Sequence, residues 1–225
     1  MSRAAALAVA VAACHPLPPP PMVALHDDTA APRVGTTSGL LVIGMAGDLG
    51  GGGWGTALRV EQQVSRTTAI GGEVAIGRGD DGVGHDLDLL AVRGYGQSTP
   101  IGRPWVAAVY GAGVTWLSSG LFTVGGFAGG AVSVPDGYVA PYLQLGVAPV
   151  LVVRRGGAYG QRCMACDQPP VAPRSDVYGV ADVGLVGRIG NRGNRLSVDL
   201  GAAVTARGRE TLMGLSVADG QRFEP

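Results

Sequence analysis

The sequence predicts an all-β chain, an antiparallel up-and-down transmembrane β-barrel of about ten strands, within a range of eight to ten. Three observations predict it. Glycine supplies 39 of the 225 residues, and each glycine inside a helix costs about 1 kcal/mol relative to alanine, so a helical bundle is excluded. From residue 38 onward, apolar residues alternate with small or polar ones at period two, in segments separated by turn signals. Aromatic residues gather at segment ends, at Trp54, Tyr95, Trp105, Trp116, Phe122, Tyr138, Tyr142, Tyr178 and Phe223. Membrane barrels carry aromatic girdles at both interfaces, whereas soluble cores place aromatics at strand centres.

Ten segments are expected: 38–48, 54–65, 68–78, 86–97, 104–117, 121–134, 138–154, 176–188, 195–206 and 210–218. The connections carry turn residues, among them Gly50–Gly53, Ser65–Thr67, Asp80–Gly82, Pro100–Pro104, Pro135–Gly137 and Gly190–Asn194. In the second segment Trp54, Thr56, Leu58, Val60 and Val64 share one face, opposite Ala57, Arg59, Glu61 and Gln63. In the fourth, Arg93 falls on the apolar face unless the strand bulges near Leu89 or Leu90, or unless Asp86 and Asp88 lie beyond the bilayer. The sixth is weakened by Gly125, Gly126, Gly129 and Gly130. In the seventh, Leu143, Leu145, Val147 and Leu151 oppose Tyr142, Gln144, Gly146 and Ala148, while Val150 and Val152 blur the pattern. In the ninth, Leu196, Val198, Leu200 and Val204 oppose Arg195, Ser197, Asp199 and Thr205. The polar faces together carry Arg59, Glu61, Glu73, Asp182, Arg188, Arg195 and Asp199, both signs, which suits a narrow interior filled by ion pairs. With ten strands the long 155–175 connection falls on the side away from the termini.

Composition removes other classes. The 17 basic residues, all arginine, balance 17 acidic ones, so the positive footprint of a nucleic-acid binder is missing. No apolar run of about 20 residues occurs, so no transmembrane helix is expected. Gly50–Gly53 lacks the lysine and following helix of a phosphate-binding loop.

Ahead of the barrel, Arg3 gives a positive start, Ala4–Ala13 a short apolar stretch, and Cys14 follows. This is the pattern of an export signal. Val11-Ala12-Ala13-Cys14 resembles the lipobox of bacterial lipoprotein precursors. The resemblance implies that residues 1–13 are removed, that Cys14 carries the lipid, and that lipoprotein-export machinery handles the chain. His15, where an aspartate would retain the protein, implies no retention at the inner membrane. Residues 14–37 read as a proline-rich periplasmic tether, with prolines 18–21 as a semi-rigid spacer. Cys163 and Cys166 are then left as a pair in a Gly/Pro-rich loop, and outside the cytoplasm a disulfide is the default. Free thiols, a redox pair or half a metal site are the alternatives.

The stretches 64–74, 103–114 and 138–147 resemble the strand signatures of small outer-membrane β-barrel proteins, over residues 38–223. That resemblance implies an outer-membrane location with the amino terminus in the periplasm. It also implies membrane lipid and the barrel-assembly machinery as partners, no cofactor or metal, no wide pore, and a structural or surface-interaction role without enzymatic activity. Many members end on a phenylalanine that the assembly machinery reads. Here Glu224 and Pro225 follow Phe223, and Asp219 and Gln221 stand at positions expected to be apolar. Two other readings stay open. A soluble lipocalin-like barrel on a periplasmic lipoprotein would turn the apolar face inward around a hydrophobic ligand. A surface barrel enzyme would use His85, either with Asp86 and Asp88 as in the omptin proteases or with Ser118 or Ser119 as in lipid A deacylases. The omptin pattern needs a second acidic/His pair, which the sequence lacks. Asp80, Asp81 and the His85 segment also suit a calcium loop.

Overall fold

A computed structural model describes residues 33–47, 52–80, 86–118, 121–134, 138–154, 174–189, 194–205 and 211–223. The period-two segments form β1 (Thr37–Gly47), β2 (Gly52–Gln63), β3 (Thr68–Asp80), β4 (Asp86–Ser98), β5 (Val106–Leu117), β6 (Leu121–Ser133), β7 (Val139–Arg154), β8 (Arg174–Ile189), β9 (Asn194–Thr205) and β10 (Thr211–Phe223). Each strand pairs antiparallel with its sequence neighbours, and β1 pairs with β10, so the sheet closes into a ten-stranded barrel. Closure leaves no edge, so the ladder satisfies the backbone polar groups without water.

A path across register partners from Thr37 runs through Gln62, Ile70, Gly96, Tyr110, Ala128, Val147, Gly179 and Val204 to Thr211. Thr211 lies beyond Met213, the partner of Gly47 at the far end of β1. One circuit therefore climbs the whole of β1. That stagger tilts the strands and sets a bore that side chains can fill.

The apolar faces point outward. Leu41, Ile43, Leu58, Val60, Ile76, Leu145, Val147, Leu185, Val198 and Leu215 are all exposed, on a surface continuous around the barrel. Water would penalise such a surface by about 25 cal/mol per Å², whereas a hydrocarbon phase accepts it. The barrel is thus a transmembrane one, and the lipocalin-like arrangement, with these side chains inward, is not what forms. Outward aromatics mark two levels. Trp54 and the Trp116–Phe122 pair, with ring centroids 5.0 Å apart, lie at the end away from the termini. Trp105, Tyr138 and Phe223 lie at the end that carries them.

Several expectations are corrected. Tyr95, Tyr142 and Tyr178 do not join the girdles; they point into the bore and are buried. Of the two conditions that would set Arg93 inward, the bulge does not form, since β4 keeps one register with β3 from Asp80–Asp86 to Thr68–Ser98; Arg93 is inward with Asp88 exposed on the outside, near the strand end, beside Arg78. Val150 is buried inside with Tyr178, Val180, Phe127 and Ala148, and Val152 packs against that cluster. The bore is therefore not filled by ion pairs alone: an apolar plug from β4 to β9 shares it. The last strand runs past residue 218 to Phe223, in unbroken register with β1. Asp219 and Gln221 face outward, toward the end that carries the termini.

Candidate functional site

The bore is organised by cross-strand rows, because directly opposed residues hold their β-carbons about 5 Å apart on one face. One row reads Leu40 (β1), Arg59 (β2), Glu73 (β3), Arg93 (β4) and Gly113 (β5). Two guanidinium groups flank one carboxylate. Glu73 Oε2 accepts from Arg59 Nη2 at 2.7 Å and Nε at 3.1 Å, and Oε1 accepts from Arg93 Nη1 at 2.7 Å. The Arg59 guanidinium also lies 4.8 Å from the centroid of the Tyr95 ring, a cation–π contact that adds to its fixation. Arg93 passes over Gly113, where a β-carbon would sit 2.7 Å from its Cγ.

Across the bore, Tyr142 (β7), Gly184 (β8) and Asp199 (β9) form another row. The Tyr142 hydroxyl reaches over Gly184 and donates to Asp199 Oδ1, while Ser197 Oγ donates to Oδ2 at 3.2 Å. A β-carbon at Gly184 would collide with Asp199 and with the Tyr142 ring. The same device recurs on the other wall, where Tyr95 lies over Gly71 in the row that ends at Glu61. Gly184→Ala should therefore lower stability by about 1–3 kcal/mol. Gly179→Ala on the outer face of the same strand, where a β-carbon meets only Val204 O at 3.9 Å, should stay within about 0.5 kcal/mol. Urea midpoints of the refolded barrel check the pair.

All seven charges singled out from sequence are inward. Arg59, Glu73, Asp182, Arg195 and Asp199 are buried, and Glu61 and Arg188 half-buried. Register brings Arg59 and Glu73 together, and sets Asp182 opposite Gln144. Alternation already sets Tyr142 on the polar face, whereas Arg93, Tyr95 and Tyr178 carry no such assignment from sequence. A hairpin centred on residue 83 would have paired Arg93 with Glu73, and that was the available signal. Cys14, His85, Cys163 and Cys166 lie outside the described residues.

Toward the end away from the termini the inner wall changes character. Above the charged row comes Ala218, Val42, Ala57, Ala75 and Ala91. Next come Ser216, Gly44, Gly55 and Gly77, and then Gly214, Ala46, Gly53 and Gly79. On β10, β1, β2 and β3 these two rows hold nothing larger than serine; Leu212, the next inward residue of β10, packs against the apolar cluster. β-Carbons added at Gly53, Gly55, Gly77 or Gly79 would come within 2.7–2.9 Å of a backbone carbonyl oxygen on the adjoining strand. At Gly113, Gly146 and Gly184 they would strike side chains already lying across the wall. Among the described residues, the bore carries a buried apolar cluster on the β4–β9 side and rows of small residues on β10, β1, β2 and β3. Its middle is closed by the charged and tyrosine rows.

No protein-family model matches the chain, and no curated protein sequence matches it. Solved structures resemble it at low identity. The translocator domain of autotransporter NalP from Neisseria meningitidis is 14% identical, with a TM-score of 0.46, over 85% of this chain and 90% of that one. The outer membrane protein Ail of Yersinia pestis is 13% identical, with a TM-score of 0.40, over 84% of this chain and 99% of that one. Neisserial surface protein A is 10% identical, with a TM-score of 0.35, over 84% and 96%.

Proposed function

We propose that the chain is a lipid-anchored outer-membrane β-barrel that does not transport through its bore and serves a structural or surface-interaction role. The observation that carries this reading is the blocked mid-section. Arg59, Glu73, Gln144, Asp182 and Asp199 are each 6% exposed or less, inside a barrel whose outer wall suits lipid. The short connections and both termini then face the periplasm, and the end with the 155–173 connection faces out. Cys14 would tether the amino terminus to the inner leaflet through residues 15–36.

Two measurements test it. In planar bilayers the refolded barrel should show no steady conductance; a persistent open level would overturn the sealed bore. In cells, Cys14→Ala should lose incorporation of labelled fatty acid while the barrel still assembles, because the tether precedes the first strand. Retained labelling would remove the anchor from the reading. The enzymatic alternative depends on His85, and surface proteolysis or deacylation abolished by His85→Ala would replace a non-catalytic role.

A further inference from the structure

We propose that Asp219, on the lipid-facing wall of β10, binds the ammonium of an ethanolamine phospholipid head and draws that head into the apolar belt at the end that carries the termini. The proposal rests on the outward apolar faces, and on neither the sealed bore nor the anchor. Height along the barrel carries it. The strands tilt by about 40°, so one residue climbs about 2.5 Å and one step across the ladder about 3 Å. The row Leu215, Met45, Trp54, Arg78 takes three such steps from β10 to β3, in the direction in which the circuit climbs. Asp219 stands four residues below Leu215 on β10. It therefore lies about 20 Å below Arg78, the outward charge near the far end, whereas the apolar band of a membrane barrel is about 25 Å tall. From the other side, Phe223 marks the aromatic level, and Asp219 stands four residues, or about 10 Å, above it. Both measures set the carboxylate inside the belt.

The surroundings define the ligand. Asp219 is exposed, and its register partners Leu41 and Leu196 are exposed leucines on the same face. At similar heights Val60, Ile70, Leu143 and Leu185 face out on β2, β3, β7 and β8. Among the described residues Asp219 has no hydrogen-bond or ion-pair partner. An ionisable group within a membrane takes a counter-charge, and a lipid ammonium supplies one. Between Asp219 and the terminal rim the wall is polar. Gln221, the next outward residue of β10, is opposite Gly39, and Thr37 is opposite Gln62. A β-carbon at Gly39 would meet nothing within 4 Å, so the wall is low beside Gln221. An ethanolamine head fits this track: its ammonium donates to the carboxylate, its phosphate accepts from the Gln221 amide and the Thr37 hydroxyl, and its chains lie on Leu41 and Leu196. Successive outward residues on a strand stand about 7 Å apart, the short span of an ethanolamine phosphate. A second copy of the chain offers no cation at that height. Among the described residues Arg59, Arg93, Arg188, Arg195 and Arg222 point inward, and Arg78 lies near the other end.

The test is native mass spectrometry of the full barrel released from nanodiscs of equal phosphatidylethanolamine and phosphatidylcholine. The two heads differ only in the methyl groups that stop choline from donating a hydrogen bond. The wild-type barrel should retain the ethanolamine lipid over the choline lipid by about threefold or more, the size of one exposed ion pair. Asp219→Asn should remove the preference. Asp219→Leu should remove it too while assembling at least as well as the wild type, because leucine matches the wall around it; this separates a lost lipid from a lost fold. Arg78→Gln, near the other rim, should leave the preference unchanged. No preference in the wild type, an undiminished preference in both Asp219 variants, an equal loss in Arg78→Gln, or a second barrel retained in place of lipid would each overturn the proposal. Conductance and fatty-acid labelling, measured separately, report on the sealed bore and on Cys14, not on this site.

Discussion

Val147→Arg is expected to destabilise the inserted barrel by about 2–4 kcal/mol and to cut its assembly in membranes. Val147 stands on the outer face of β7, 51% exposed, between Ala128 and Gly179, near the middle of the wall. A guanidinium there has only hydrocarbon for a neighbour, and the loss is a large part of a typical stability of about 5–15 kcal/mol. Val198→Arg on β9, with the same orientation and exposure class, should behave alike. Ser197→Asn, on the inner face beside it, should be mild by comparison. Yields of heat-modifiable folded protein on unboiled gels measure the series. A cysteine scan over 143–151 supplies the complementary reading: labels at 143, 145, 147 and 151 should be quenched by a membrane-confined quencher, and those at 144, 146, 148 and 150 should not. Uniform protection would be incompatible with lipid on the outer face.

The second large effect is expected at Glu73. Glu73→Gln keeps the shape but leaves two buried guanidinium groups without their shared carboxylate. Removing one partner of a buried pair costs about 3–5 kcal/mol, because the remaining charge stays desolvated. Replacing the whole row, as Arg59→Met with Glu73→Gln and Arg93→Met, should cost less than Glu73→Gln alone, since both guanidinium groups go with their shared carboxylate. Urea unfolding of the wild type and the two variants decides it. A triple variant worse than Glu73→Gln would show that the row contributes net stability beyond its own charge balance.

Much of the barrel was legible from residue order. Alternation identified ten segments and placed Leu143, Leu145, Val147 and Leu151 on one face and Gln144, Gly146 and Ala148 on the other, and the strands follow that division. Bounds shift most where Asp219 and Gln221 interrupt the alternation: β10 continues to Phe223 because its hydrogen bonds to β1 persist whatever the outward side chains are. The ambiguity over Arg93 had a related origin. Two carboxylates at the strand end resembled an interior face, and only the ladder to β3 showed that the inward set begins further along.

Residue order by itself determined the all-β class, the near-exclusion of helix and the parity of each strand, because a strand's side chains alternate sides whatever it pairs with. It did not determine which inward groups meet. Cross-strand neighbours depend on register, which each hairpin sets separately and which closure between β1 and β10 must satisfy for all ten strands at once. That is why Tyr142 and Asp199, 57 residues apart, share a hydrogen bond across Gly184, and why Arg59, Glu73 and Arg93 line up in one row. It is also why glycines scattered over β1, β2, β3 and β10 fall into adjacent rows: only the closed sheet places them side by side.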